Sequence, residues 1–340
     1  MSLQVRPLAD RSAWDAFVHA HPEATFFHLS AWKQVLERAF GHRTHYLLAE
    51  RDGQIEGVLP LGEIRSRLFG DALISTPFCV YGGILAATPA AHSALEAAAA
   101  ELAVSLGVGH LELRNRRRQH PSWPCKELHV SFETELDPGS PPGLEAIPHK
   151  RRNLVRKGVK AGLVGELDAG IDRFYPVYAE SVRNLGTPAY PRRYFEVLRE
   201  LFGEACEVLT VTHQGRPVAT MLSFYFRDSA HPYYGGGTVG AREFAANDFM
   251  YWELMRRAAE RGVRRFDFGR SKRDGGNYTF KKSWAGEPLP LYYECQLVRA
   301  RELPEVNPLN PRYRMFIEGW KRLPLRVSTL LGPFLSRSLG

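Results

Sequence analysis

Short apolar runs bounded by turn residues alternate along this chain with longer stretches of helical character. His45–Ala49 and Ile55–Ile64 flank Asp52-Gly53, and Glu207–Val211 and Pro217–Phe226 flank Gln214-Gly215. Each pair predicts an antiparallel hairpin closed by a tight, glycine-containing turn. Long helices are predicted over about 91–106, an alanine-rich stretch, and over about 247–261, which opens at Asn247-Asp248, a pair suited to an N-cap. Both end at Gly-Val. Gly107 and Gly262 supply a left-handed C-cap there, and the alternating residues that follow predict strands.

These elements occur twice in one order. Val35–Gly41 aligns with Val197–Gly203 at an offset of 162 residues, and the same offset carries Asp52-Gly53 onto Gln214-Gly215. Tyrosine-glycine strand ends follow, Val80-Tyr-Gly-Gly-Ile84 and Pro232-Tyr-Tyr-Gly-Gly236. After the long helix, Gly107-Val-Gly-His-Leu-Glu-Leu-Arg114 parallels Gly262-Val-Arg-Arg-Phe-Asp-Phe-Gly269 at an offset of 155, so the second copy is shorter in between. Four features recurring at nearly one spacing indicate a duplicated α/β (α+β) unit. The expected division is an N-terminal domain over 1–142, a basic helical connector over 143–162, a C-terminal domain over 163–300 and a basic amphipathic tail over 301–340.

A length of 340 residues agrees with two domains, because single cores seldom grow that far. With 44% hydrophobic and 24% charged residues, disordered and fibrous classes are excluded. The N-terminus lacks the apolar region of a signal peptide and no window reaches a membrane span, which predicts a cytoplasmic protein. Cys79, Cys125, Cys206 and Cys295 lie far apart, without a C-x-x-C pair, and are expected to be reduced thiols with no metal site.

Charge adds a partner class. The net charge of +8 suggests an anionic ligand. Six Lys/Arg fall within 149–160, and helical spacing puts Arg152, Arg156 and Lys160 on one face, where a tRNA phosphate, a nucleotide-sugar diphosphate or a lipid-linked pyrophosphate would bind. The tail mixes aromatic, aliphatic and basic residues and is broken by Pro324 and Pro333. It reads either as an interfacial segment that brings the protein to the inner face of a membrane or as a helix packed back on the domains.

Candidate chemistry concentrates in the second copy. In Phe266-Asp-Phe-Gly-Arg-Ser271, alternation sends Asp267 to the face opposite Phe266 and Phe268. Gly269 frees the backbone where Arg270 and Ser271 leave the strand. Asp267 could accept a proton or orient a tyrosine, and Arg270 could hold a phosphate or carboxylate. Tyr234 and Asn247 bracket the intervening glycine turn as further cleft candidates, whereas Tyr251 and Trp252 suit packing. Gly235–Gly240 formally fits a dinucleotide fingerprint, but about six residues separate its last glycine from the helix start, and the fingerprint needs the helix to open within the glycines.

A helix, hairpin, strand, glycine turn, helix and strand, repeated in tandem, resembles the GNAT acyltransferase fold as doubled in the FemAB peptidyltransferases. The stretches Ile147–Gly158, Tyr178–Pro188, Ala246–Met255 and Phe266–Lys272 with Phe280-Lys-Lys-Ser-Trp284 resemble the FemAB-like branch associated with exosortase and exopolysaccharide gene clusters. The resemblance implies two GNAT-like domains, each a mixed, mainly antiparallel sheet flanked by helices. It also implies transfer of an acyl or aminoacyl group to an amine, without metal or tightly bound cofactor, from aminoacyl-tRNA or acyl-CoA to an anionic or lipid-linked saccharide substrate. Phe280-Lys281 matches the family's Phe-Lys pair, which places a lysine at the reacting carbonyl. Val35 and Leu36 stand where the bridge-forming enzymes carry a precursor-binding lysine, a departure that weakens the case for a peptidoglycan precursor. Neither half carries the Gln/Arg-x-x-Gly-x-Gly/Ala loop usual with coenzyme A. The first copy lacks both the Gly-Arg turn and the Phe-Lys pair, so one active site is expected, in the second copy. The alternative is a non-catalytic module that binds an anionic saccharide or nucleic acid.

Overall fold

The computed structural model describes residues 2–66, 70–273, 275–303 and 311–338, without the side chains of 311–314. Asp274 of the loop before Lys281, and the arginine side chains at the start of the tail, lie outside the described residues.

Both predicted hairpins form. Arg43–Arg51 pairs with Gln54–Ile64, and Cys206–His213 with Arg216–Phe226. Their turns place Asp52 and Gly53 at φ 52° and 80°, and Gln214 and Gly215 at 50° and 75°, the doubly left-handed geometry that matches strand twist. The long helices span Pro89–Leu106 and Ala246–Glu260. Thr88 caps the first, accepting from the Ala91 N–H at 3.2 Å, and Gly107 ends it at φ 62°. The second departs from expectation: Ala245, at φ 55°, occupies the N-cap position without a side-chain bond, and Asn247 lies inside the first turn.

The chain divides into two compact units, one built on residues up to Leu128 together with Tyr292–Leu297, the other on His129–Leu289 together with the two terminal helices. The first unit's sheet runs Gln4–Pro7, Arg43–Arg51, Gln54–Ile64, Ala72–Ser75, His110–Asn115, Tyr292–Leu297, Cys125–Lys126. The second runs Val164–Asp168, Cys206–His213, Arg216–Phe226, Ser229–Gly237, Arg265–Asp267, Glu133–Glu135. In each, the one parallel pairing among the described residues joins the strand after the hairpin to the strand after the long helix.

This arrangement corrects the expected boundaries of 1–142 and 163–300. Glu133–Glu135 follows the first copy in sequence but pairs with Arg265–Asp267 in the second sheet, and Tyr292–Leu297 follows the second copy but pairs with His110–Asn115 in the first. Each copy thus supplies the strand that extends the other sheet. The connector is helical, over His149–Lys160, but belongs to the second unit, where Val155 enters the core and Gly158 abuts Phe249.

Two glycine-rich stretches also differ from each other. Ser229–Gly237 is strand throughout, whereas Val80–Ile84 is irregular, because its strand ends at Ser75, before Pro77 interrupts the ladder. Gly235 and Gly236 leave room for the Thr220 carbonyl and for Ser181 on the helix Phe174–Asn184, so the run serves close packing. Leu209, Val211, Phe266 and Phe268 form one core with Met250 and Leu254 of the long helix, and Leu59, Leu61 and Leu111 form its counterpart with Leu95 and Ala99.

Candidate active site in the second unit

The parallel pairing of Ser229–Gly237 with Arg265–Asp267 lasts only two residues, Ser229↔Arg265 and Ala230↔Phe266. Beyond it the strands part, and Phe268 turns its N–H to the Phe132 carbonyl at 2.8 Å. Asp267 lies at this fork, buried. Its Oδ1 accepts from the Gly269 N–H at 2.7 Å and the Ser131 hydroxyl at 2.9 Å, and its Oδ2 lies 3.4 Å from His231 Nδ1. Burial pushes the Asp267 carboxyl up, but the His231 contact, the Gly269 N–H and Ser131 outweigh it and hold it at about 2.

Gly269 follows at φ 70°, in the left-handed region that glycine enters freely. Its carbonyl and that of Arg270 each accept from Lys281 Nζ at 3.0 Å. Lys281 stands in the helix Gly276–Ala285. Burial pulls its ammonium down to about 8, Arg270 adding to the effect and Asp267 opposing it. Ser271 pairs with Val130, and its buried hydroxyl has no partner among the described residues.

Lys281, Asp267, Arg270 and Ser271 are therefore gathered around one strand end, and the other expected residues have different places. Phe280 packs against Tyr251, with ring centroids 5.2 Å apart, and carries the Arg151 guanidinium 4.6 Å above its ring. Tyr234 is corrected from cleft to core: it is buried among Tyr178, Tyr190 and Phe195, with its hydroxyl 2.7 Å from that of Tyr194. Asn247 keeps a buried Oδ1 without a partner among the described residues. Arg152 is half-buried and ties down the Glu145 and Ile147 carbonyls, at 3.0 and 3.3 Å, while Arg156 and Lys160 are exposed. Tyr251 is core, and Trp252 donates to the Pro142 carbonyl at 3.0 Å.

Three participants escaped the sequence reading. Ser131 arrives on the exchanged segment, and His231 precedes the Tyr-Tyr-Gly-Gly stretch without a pattern of its own. Arg151, one residue before the arginine singled out, bonds Asp248 at 2.8 Å and Ser283 through Nε at 2.6 Å. Only the identity of the helix packed against this segment distinguishes Arg151 from its neighbour.

The equivalent place in the first unit is closed. At the 155-residue offset Glu112 matches Asp267 and Arg114 matches Gly269. Arg114 is buried and fills the fork, bonding Glu112 at 2.9 Å and the Cys79 carbonyl at 2.6 Å, while its N–H donates to Ser75 Oγ at 2.8 Å. Lys126 holds the other Glu112 oxygen at 2.6 Å. Burial raises the Glu112 carboxyl, but the two cations outweigh it and keep it far below the usual range. His110 and Cys295 lie within 4.8 Å of Glu112, a metal-ligand set in type, yet both carboxylate oxygens are already held by cations. All four cysteines are free thiols, and burial pushes those of Cys125 and Cys206 up to about 11 and 12.

The loop between Ser229–Gly237 and the long helix offers little to a diphosphate. The N–H groups of Thr238, Ala241, Glu243 and Ala245 bond to backbone carbonyls, and that of Val239 donates to the Glu180 carboxylate at 2.8 Å.

A mixed, mainly antiparallel sheet that forks beside a buried acid and a lysine and is flanked by helices has the layout of a GNAT-like domain. Residues 147–282 match the acetyltransferase (GNAT) domain family, a span that holds Asp267, Arg270 and Lys281. The fold is similar to that of FemX, with a TM-score of 0.66 at 15% identity over 93% of this chain and 100% of that one. It is also similar to the C-terminal domain of a putative lysylphosphatidylglycerol synthetase from Agrobacterium fabrum, at 0.58 and 14% over 84% and 91%. A tandem GNAT protein from the clavulanic acid biosynthesis pathway gives 0.55 and 16% over 86% and 98%. These likenesses show a shared fold, in agreement with the FemAB-like resemblance. No curated protein sequence matches the chain.

Proposed function

We propose that the second unit transfers an acyl or aminoacyl group to the amine of an anionic cell-envelope or exopolysaccharide precursor, with Lys281 stabilising the oxyanion. The observation that carries this reading is the Lys281 ammonium, fixed by the Gly269 and Arg270 carbonyls beside the fork. An ammonium has three N–H donors, so two such bonds leave one for a developing oxyanion. The amine nitrogen forms a bond to the donor carbonyl carbon, the carbonyl oxygen becomes the oxyanion, and collapse breaks the C–O or C–S bond. The leaving oxygen or sulfur takes up the proton lost by the amine. Asp267, held at about 2, is a poor proton acceptor, so its role is to fix Gly269 and to favour the charged lysine. Arg270 and the exposed Arg156 are the groups proposed to meet the anionic substrate.

Two donors fit this chemistry, an acyl-CoA and an aminoacyl-tRNA. Glu180 at the Val239 N–H weighs against the first, because it sets a carboxylate where GNAT enzymes usually receive the coenzyme A diphosphate. Mass spectrometry of candidate acceptors incubated with each donor pool tests the proposal. A mass gain on an amine, lost in Lys281→Ala, supports it, and a product formed equally well by Lys281→Ala overturns it.

A further inference from the structure

The helix Leu325–Ser336 is set into the second unit with its large residues outward. Val327, Leu330, Leu331 and Phe334 recur at the i, i+3, i+4, i+7 spacing of a stripe that ordinarily faces a core. The opposite face is inside instead. Ser328, Gly332 and Ser336 are buried, and Gly332 lies so close to Ala189 that a Cβ there would stand 2.8 Å from its carbonyl oxygen. Leu330 and Phe334 are 69% and 71% exposed. Met315, on the helix Pro311–Lys321, is 80% exposed, while Trp320 of that helix is buried. Arg183 holds the Leu323 carbonyl at 2.9 Å and so pins the turn between the two helices. The orientation is built in by packing, and the apolar stripe is left to be covered by something else.

We propose that this stripe docks on an anionic lipid bilayer, its apolar side chains entering the boundary between headgroups and acyl chains and its arginines meeting lipid phosphates. Charge selects the occupant. Residues 315–337 carry Lys321, Arg322, Arg326 and Arg337 against a single acid, Glu318, which bonds Lys321 at 2.7 Å. An isologous contact with a second copy would set these like charges against one another, whereas an anionic leaflet complements them. Among the described residues no helix is long and apolar enough to cross a membrane, so the contact is interfacial.

Co-sedimentation of the full chain with vesicles of phosphatidylcholine alone, or with about one third phosphatidylglycerol, tests this without donor or acceptor, so its failure leaves the acyl-transfer reading untouched. The wild type is expected to bind the anionic vesicles at least about tenfold more tightly than the neutral ones, and less tightly as salt rises. Leu330→Glu with Phe334→Glu should lower that binding by about tenfold or more at an unchanged melting temperature, and Arg322→Glu with Arg326→Glu should remove the preference for the anionic vesicles. Binding to neither vesicle, undiminished binding of the Leu330/Phe334 variant, or a concentration-dependent dimer that this variant abolishes in light scattering would overturn the proposal.

Discussion

Lys281 illustrates how one position acquires chemistry from its surroundings. In the sequence it is one of two adjacent lysines, and only the resemblance singled it out. In the structure its ammonium is drawn inward onto two carbonyls and burial brings it down to about 8. The protonated form is the one that stabilises an oxyanion, so acyl transfer should fall as pH rises through about 8. Lys281→Ala should lower kcat by roughly 100-fold with little change in KM and should remove that alkaline limb, which a pH–rate profile of both proteins would show. Asp267 makes a separate prediction. Its folded value of about 2 lies below the ordinary 3.8, so its contribution is present above pH 4 and is lost as pH falls through 2. Asp267→Asn should therefore cost roughly 2 kcal/mol near neutral pH, and thermal unfolding should show the gap closing towards pH 2.

Secondary elements were legible to the extent that their signals are local. The hairpin turns and glycine C-caps stood in the sequence because left-handed backbone is written in Asp-Gly, Gln-Gly and Gly-Val. The N-cap expected at Asn247 was not so written: Ala245 takes the left-handed turn there, a conformation imposed by tertiary packing on a residue with no propensity for it. The basic helix His149–Lys160 was legible as a helix, but its buried side depended on the partner. Arg151 leads there to Asp248, whose carboxyl burial raises and the arginine lowers. Arg151→Ala should destabilise by about 3 kcal/mol because it strands that acid, and Asp248→Asn in the same chain should recover part of the loss, a coupling measurable in a double-mutant cycle by denaturant unfolding.

At the scale of the whole molecule the duplication was readable and the exchange of strands was not. Offsets of 162 and 155 residues report copies, but the pairing of Glu133–Glu135 with Arg265–Asp267, or of Tyr292–Leu297 with His110–Asn115, spans more than a hundred residues and leaves no local mark. Glu294→Ala, on Tyr292–Leu297, should thus remove the buried carboxylate that accepts from the Gln119 and His120 N–H groups at 3.0 and 2.6 Å. Hydrogen exchange across residues 110–120 should then speed up while the core of the second unit stays protected. The same view sharpens the asymmetry between copies. The first fork is filled by Arg114 and its ion pairs, and the second is opened by Gly269 and furnished with Lys281. The most direct test of that claim is single-turnover acyl transfer, followed by mass spectrometry of the acceptor, in the wild type and in a folded Lys281→Ala variant. The account predicts that the variant loses product by roughly two orders of magnitude at an unchanged melting temperature. Wild-type turnover by the variant would contradict it.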